Sequence, residues 1–194
     1  MEKDSLQSDR EEALKDSINN RKVLLIGPGK SSETEKDKII DFVNKNKVIV
    51  ISTNFDYKYL QSDYIFISNI RRFKELNEKS KARCIATSNI PYDGIYYQTD
   101  YKQLLNNVES VSDNAGLMAI KLLILFGAKK VFLAGFDGYS HEKKENYFDE
   151  NMTLVAKNAI LDNTNQGMCK VLAEYSKKIE IDFLTTKKHL KIGE

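Results

Sequence analysis

The chain has 194 residues, 41% of them hydrophobic and 30% charged, which suits one globular domain with a sizeable core. Its 30 basic and 28 acidic residues leave a net charge of +2 spread along the chain, which argues against nucleic acid, a partner that favours a clustered basic face. No apolar run approaches the ~18 residues of a membrane span, and the polar start Met1-Glu2-Lys3-Asp4 is not that of a secretory signal, so a soluble cytoplasmic protein is expected.

Residues 1–20 are polar, with weak helical periodicity at Leu6, Ala13, Leu14 and Ile18, and read as a linker or an opening helix. Residues 21–194 read as one domain. Val23-Leu24-Leu25-Ile26 is a continuous apolar run, the pattern of a strand buried on both faces. Ser31 to Asn46 carries helix signals, with Ser32 or Thr34 as cap and then Ile39, Ile40, Phe42 and Val43. Strands are predicted at 22–27, 48–52, 63–67 and 83–87, with a helix over Arg71–Ser80 between the last two, and a short strand at Ile95-Tyr96-Tyr97. Leu117 to Phe126 is an apolar helix stopped by Gly127, and strands follow at 130–134 and 179–184 around a long helix within Met152–Ser176. Strands alternating with helices at this spacing predict an α/β, three-layer Rossmann-like domain with a mainly parallel sheet.

The first strand ends in Gly27-Pro28-Gly29-Lys30-Ser31. A strand that stops at glycines and turns into a helix places backbone N–H groups beside a partly positive helix N-terminus, an arrangement that attracts phosphate. Glycines would let such a ligand approach the backbone closely. Two better-known loops do not fit. A P-loop needs glycine where Leu24 stands. A dinucleotide loop needs a third glycine or alanine where Ser32 stands, and an acid where the second strand ends in Asn54. Gly27 and Gly29 could also serve only a tight turn.

Ligands of open α/β sheets sit beyond the carboxyl ends of the strands. Asn54 follows the second strand and Ser68-Asn69 the third; Asp113-Asn114-Ala115-Gly116 opens the apolar helix; Gly135-Phe136-Asp137-Gly138-Tyr139 follows the strand after it. Neutral amides beside small residues suit a base and a ribose better than a metal. Each also has a plainer reading, as a turn former or a helix cap. Ser140 to Asn151 is charged and glycine-free and reads as a mobile lid or loop. His141 lies there with Asp149 and Glu150, in no organised ligand spacing, and His189 among lysines reads as a solvated surface residue. Cys84 and Cys169, far apart, read as reduced thiols. No catalytic residue and no metal site are assigned.

Val23–Ser31, Val48–Asn54 and Asp63–Asn69 together resemble a domain that follows the barrel of HMG-CoA-lyase-like, 4-hydroxy-2-oxovalerate-type aldolases from bacterial surface-polysaccharide clusters. There an acidic linker leads into a strand reading like VLLIGPGKS, and residues 5–31 match that join. The resemblance implies an aldolase TIM barrel N-terminal to this piece, a lyase whose metal and catalytic residues lie outside it. More distantly, the chain is similar to small bacterial sialyltransferases that use CMP-sialic acid. The matching residues are Gly27, Pro28 and Gly29, then Asn54, Asn69 and Ala115-Gly116, then the run Phe132–Tyr139. That likeness implies a CMP-like nucleotide or nucleotide-sugar held at these strand ends. The family's general-base histidine lies shortly before the last long helix, where this chain reads Leu161-Asp162-Asn163-Thr164-Asn165-Gln166. The expectation is therefore an accessory nucleotide or nucleotide-sugar binding domain. A glycosyltransferase-like enzyme and a structural or homo-oligomerisation domain are the alternatives.

Overall fold

The structure is a computed structural model that describes residues 2–91, 94–148, 152 and 158–191. In chain order it runs α1 (Glu2–Ile18), β1 (Lys22–Ile26), α2 (Ser31–Thr34), α3 (Lys36–Lys45), β2 (Ile49–Thr53) and β3 (Tyr64–Ile67). Then come α4 (Ile70–Glu75), α5 (Glu78–Lys81), β4 (Cys84–Thr87), β5 (Tyr97–Thr99) and α6 (Tyr101–Leu104). A 3₁₀ turn at Glu109–Val111 leads into α7 (Ala115–Leu125), followed by β6 (Lys130–Ala134), α8 (Asn158–Tyr175) and β7 (Glu180–Phe183).

The described strands form one seven-stranded sheet in the order β5-β4-β3-β2-β1-β6-β7, and every pair is parallel. The predicted α/β Rossmann-like fold is the observed one. Side-chain alternation divides the core into two layers. Val23 and Leu25 of β1 face a cluster with Leu14 and Ile18 of α1, Leu117 and Ile120 of α7, and Val171 and Leu172 of α8. Leu24 and Ile26 face the other way, against Ile39 of α3 with Val50 and Phe55, while Ile65 and Ile67 of β3 pack with Phe73 of α4. Both faces are therefore covered, which is why β1 and β2 read as unbroken apolar runs.

Residues 2–18 are a helix rather than a linker, and Leu14 and Ile18 are fully buried. The helix also closes a sheet edge. The Gln7 amide reaches β5, donating to the Gln98 carbonyl at 3.3 Å and accepting from the Gln98 N–H at 3.4 Å. Arg10 donates to the carbonyls of Ile95 and Tyr96. None of the described helices is long and apolar enough to cross a membrane.

Two predicted helices are each broken in two. Ser31–Asn46 divides at Glu35, whose carboxylate accepts from the distant Thr186 N–H at 2.8 Å. Arg71–Ser80 divides where Asn77 caps a new turn by accepting from Ser80 N–H. The fifth strand is shifted to Tyr97–Thr99, starting at the last residue of the predicted stretch.

The order of the sheet fixes where a crevice opens. The chain lays down β1 to β5 in one direction, then returns to place β6 on the other side of β1. The connections after β1 and β6 consequently lead to helices on opposite faces, α3 and α8, and the carboxyl edge between them is the topological switch point where open α/β sheets leave room for ligands.

Candidate functional site

A cleft of about 330 Å³ occupies that switch point. Gly27, Pro28 and Gly29 after β1 line it, with Thr53 at the end of β2, Asn54 just beyond it, and Asn69 after β3. Asn114, Ala115 and Gly116 at the start of α7 form a second wall, and Gly135 to Tyr139 after β6 a third. The strand-end residues expected to converge from distant parts of the sequence thus share one cavity. Lys30 and Ser31 are not part of its lining.

The glycine loop is shaped by its own chain. Gly27 N–H donates to the Ala134 carbonyl at 2.7 Å, and Gly29 N–H to the Gly135 carbonyl at 3.0 Å. A Cβ on Gly27 would come within 2.6 Å of the Gly135 oxygen, and one on Gly29 within 2.5 Å of the same atom and 2.9 Å of the Asp137 carboxyl carbon. The glycines therefore let the β1 and β6 loops touch each other. That differs from the expectation that they open the backbone to a ligand, and it means that Gly29→Val would disturb the fold as well as any binding.

The helix start beyond them is occupied as well. α2 has only four residues, and its first amide, Ser31 N–H, donates to Asp137 Oδ2 at 2.8 Å. Ser31 Oγ donates to the other Asp137 oxygen and shares a 2.8 Å hydrogen bond with Thr185 Oγ1, which accepts from Gly135 N–H at 2.9 Å. Asp137 thus stands where the sequence suggested an anionic ligand. Burial pushes its carboxyl above the usual carboxylate range, against the opposing pull of the Ser31 hydrogen bonds. Lys30 turns outward to Glu33, 3.7 Å away, and brings no charge into the cleft.

The β2 and β3 ends are built differently. Asn54 adopts a left-handed backbone, φ 64°, and its Oδ1 accepts from Ser68 N–H at 3.1 Å, tying the two strand ends together. Asn69 caps α4, its Oδ1 accepting from Arg71 N–H at 2.9 Å and more weakly from Arg72 N–H. The oxygens of both amides hold backbone, while neither NH₂ group has a partner among the described residues. These asparagines therefore present chiefly donors to the cleft, where the sequence suggested donors and acceptors alike.

The opposite wall is hydroxylic. Asn114 caps α7 by accepting from Leu117 N–H at 3.1 Å. Tyr139 and Tyr147 both line this wall, and burial raises the pKa of both phenols, so both stay protonated. Asn165 of α8 grips the Tyr139 backbone from behind, accepting from its N–H at 2.7 Å and donating to its carbonyl at 2.8 Å.

Several lining residues were not foreseen. Asn146 and Tyr147 come from the segment read as a lid, whose described part is instead pinned. The Asn146 amide accepts from Ser140 N–H at 2.7 Å and donates to the Ser140 carbonyl at 2.9 Å, and Phe148 N–H donates to the Pro28 carbonyl. Ser110, Thr164 and Met168 arrive where α8 crosses the 3₁₀ turn. The available signal was Gly167 within a long helix, since a Cβ there would collide with Ser110 Oγ.

The histidines lie outside the lining. His141 pairs with Asp162 at 2.8 Å; Asp149 and Glu150, considered with it for a metal, fall outside the described residues. His189 is not freely solvated: its backbone N–H donates to the Asp137 carbonyl at 2.6 Å, and its Nε2 is buried without a hydrogen-bond partner among the described residues. Cys84 is a buried free thiol, pushed up to about 12 by burial, and Cys169 is half-buried and free.

No family model matches the chain, and no curated protein matches it.

Proposed function

We propose that the cleft binds a nucleotide or nucleotide-sugar and that the domain is a binding module. The observation that carries this reading is the convergence of Asn54, Asn69, Gly116 and Tyr139 on one cavity at the switch point of a parallel sheet. Amide donors and phenols around a space of this size match the hydroxyls and base edges of a nucleoside. On this reading the domain serves in the cytoplasm as an accessory to an aldolase of surface-polysaccharide metabolism, as the sequence resemblance implies.

A glycosyltransferase-like activity is the second reading, and one observation weighs against it. In the stretch where the resemblance places a general-base histidine, Asn165 has both ends of its amide committed to the Tyr139 backbone. It positions the wall and is a poor candidate for taking a proton.

A thermal-shift screen over nucleotides and nucleotide-sugars, CMP and CMP-sugars included, tests both. A ligand at about 100 times its Kd stabilises the folded chain by about 2.7 kcal/mol, a shift of several degrees. Stabilisation without consumption of the sugar donor supports the module, and turnover supports the enzyme. If no nucleotide shifts the melting at millimolar concentration, the reading fails and a structural role takes its place.

A further inference from the structure

The charges in and around the cleft narrow the ligand further, resting on the reading of the cleft as a nucleotide or nucleotide-sugar site. Its described lining contains no lysine, arginine or histidine. The ionisable groups there are carboxyls and phenols: Asp113, exposed at the rim; Asp137, turned to Ser31; and the two tyrosines, held protonated. Arg71, beside Asn69, is exposed, and two other cations near the rim are engaged elsewhere. Arg72, close enough to act on the Tyr147 phenol, pairs with Glu75 at 3.0 Å, and Lys30 pairs with Glu33.

The positive field in the lining comes from the first turn of α7, which amounts to less than a full charge and follows directly on Asp113. A diphosphate placed here would lose its water without gaining a counter-charge, and would face carboxylates. The other polar side chains of the lining, the Asn54 and Asn69 amides and the tyrosine phenols among them, are neutral partners for hydroxyl and carbonyl oxygens.

We infer that the moiety held inside the cleft is uncharged, a nucleoside or sugar recognised by its hydroxyls and base edge, and that any phosphates of the ligand remain outside in solvent. Recognition is then insensitive to phosphate number, or opposed by it.

Isothermal titration of the intact chain with cytidine, uridine, adenosine and guanosine, each beside its 5′-mono- and diphosphate, tests this. For the base that binds, the nucleoside is expected within about threefold of the monophosphate, and the diphosphate about tenfold weaker. Nucleoside affinity should change by less than about twofold between ~0.05 and ~0.5 M salt. Thr164→Arg adds a cation to the α8 wall, where the threonine hydroxyl bonds only within its own helix, to the Ile160 carbonyl. That variant should bring the diphosphate up to or above the nucleoside. A parent chain that binds the diphosphate ten times more tightly than the nucleoside overturns the inference and leaves the nucleotide reading standing. If none of the probes binds, that reading itself falls.

Discussion

Two halves of the same sheet edge share a plan and end in opposite conditions. After β1 and β6, the glycines, Ser31, Asp137 and Thr185 close on one another, and the donors and acceptors they offer find partners within the chain. After β2 and β3, Asn54 and Asn69 also hold backbone, but each leaves an NH₂ group over. The conspicuous motif is the self-satisfied half, and the plain asparagines are the open one. A glycine-rich turn can thus mark where two loops of a protein meet rather than where a ligand enters. A search for free hydrogen-bonding capacity finds the other half instead.

The sharpest way to break this contrast is at Gly135. It sits at φ 70°, and a Cβ would collide with the Gly27 carbonyl oxygen. Gly135→Ala is expected to destabilise the chain by about 3 kcal/mol or more, through strain and a backbone clash together, lowering Tm by about 10 °C. A variant that melts like the parent would show that the two loops are not packed as described.

Asn54 tests the open half. Asn54→Gly keeps the left-handed backbone comfortable and removes the amide, whereas Asn54→Ala would add strain to the loss. Stability should fall by about 1 kcal/mol from the missing bond to Ser68, and nucleoside affinity by about fivefold. Calorimetric titration separates the two effects; unchanged affinity in a folded variant would remove Asn54 from the site.

The smallest effect expected is one of pH. Asp137 has a raised pKa in the folded chain, so the native state holds this proton more tightly than the unfolded state. Its contribution is therefore fully present below the ordinary carboxylate pKa and is lost as pH rises through the raised value. Asp137→Asn keeps an oxygen for Ser31 N–H and offers its NH₂ to Ser31 Oγ, at a cost of about 1 kcal/mol or less. Subtracting the variant's stability-against-pH curve from the parent's should isolate this slope in the mildly acidic range. A flat difference would mean that Asp137 titrates alike in the folded and unfolded chain.

What the sequence revealed and what it hid follow the range of the interactions. Val23–Ile26 and Val131–Ala134 are strands for local reasons, an apolar run ended by glycine, and they lie where the run predicts. Helix breaks set by remote partners could not be read: Glu35 ends α2 in concert with Thr186, 151 positions away. The position of Asp137 at the strand end was legible, but its partner was not. Ser31 lies 106 positions upstream, and nothing nearby in sequence says that the carboxylate turns to it instead of into the cleft. Tyr147 and Thr164 were missed because neither follows a strand; Asn146 and Gly167 bring their segments to the cavity through tertiary packing.

The Gln7 amide on β5 has a consequence for the chain in bulk solution. A parallel sheet ends in backbone groups that can template another strand, and the two edges here are guarded unequally. β7 alternates the exposed acids Glu180 and Asp182, both held by Lys130 of β6. β5 carries no charge among Tyr97, Gln98 and Thr99, and depends on the first helix to cover it. Fraying or proteolytic loss of that helix would bare a neutral, hydrogen-bond-hungry border together with the hydrophobic hollow left by Leu14 and Ile18. The first helix thereby keeps neighbouring molecules from joining sheet to sheet, and concentrated protein trimmed to begin near Arg21 should precipitate as fibrous aggregate while the intact chain remains dispersed.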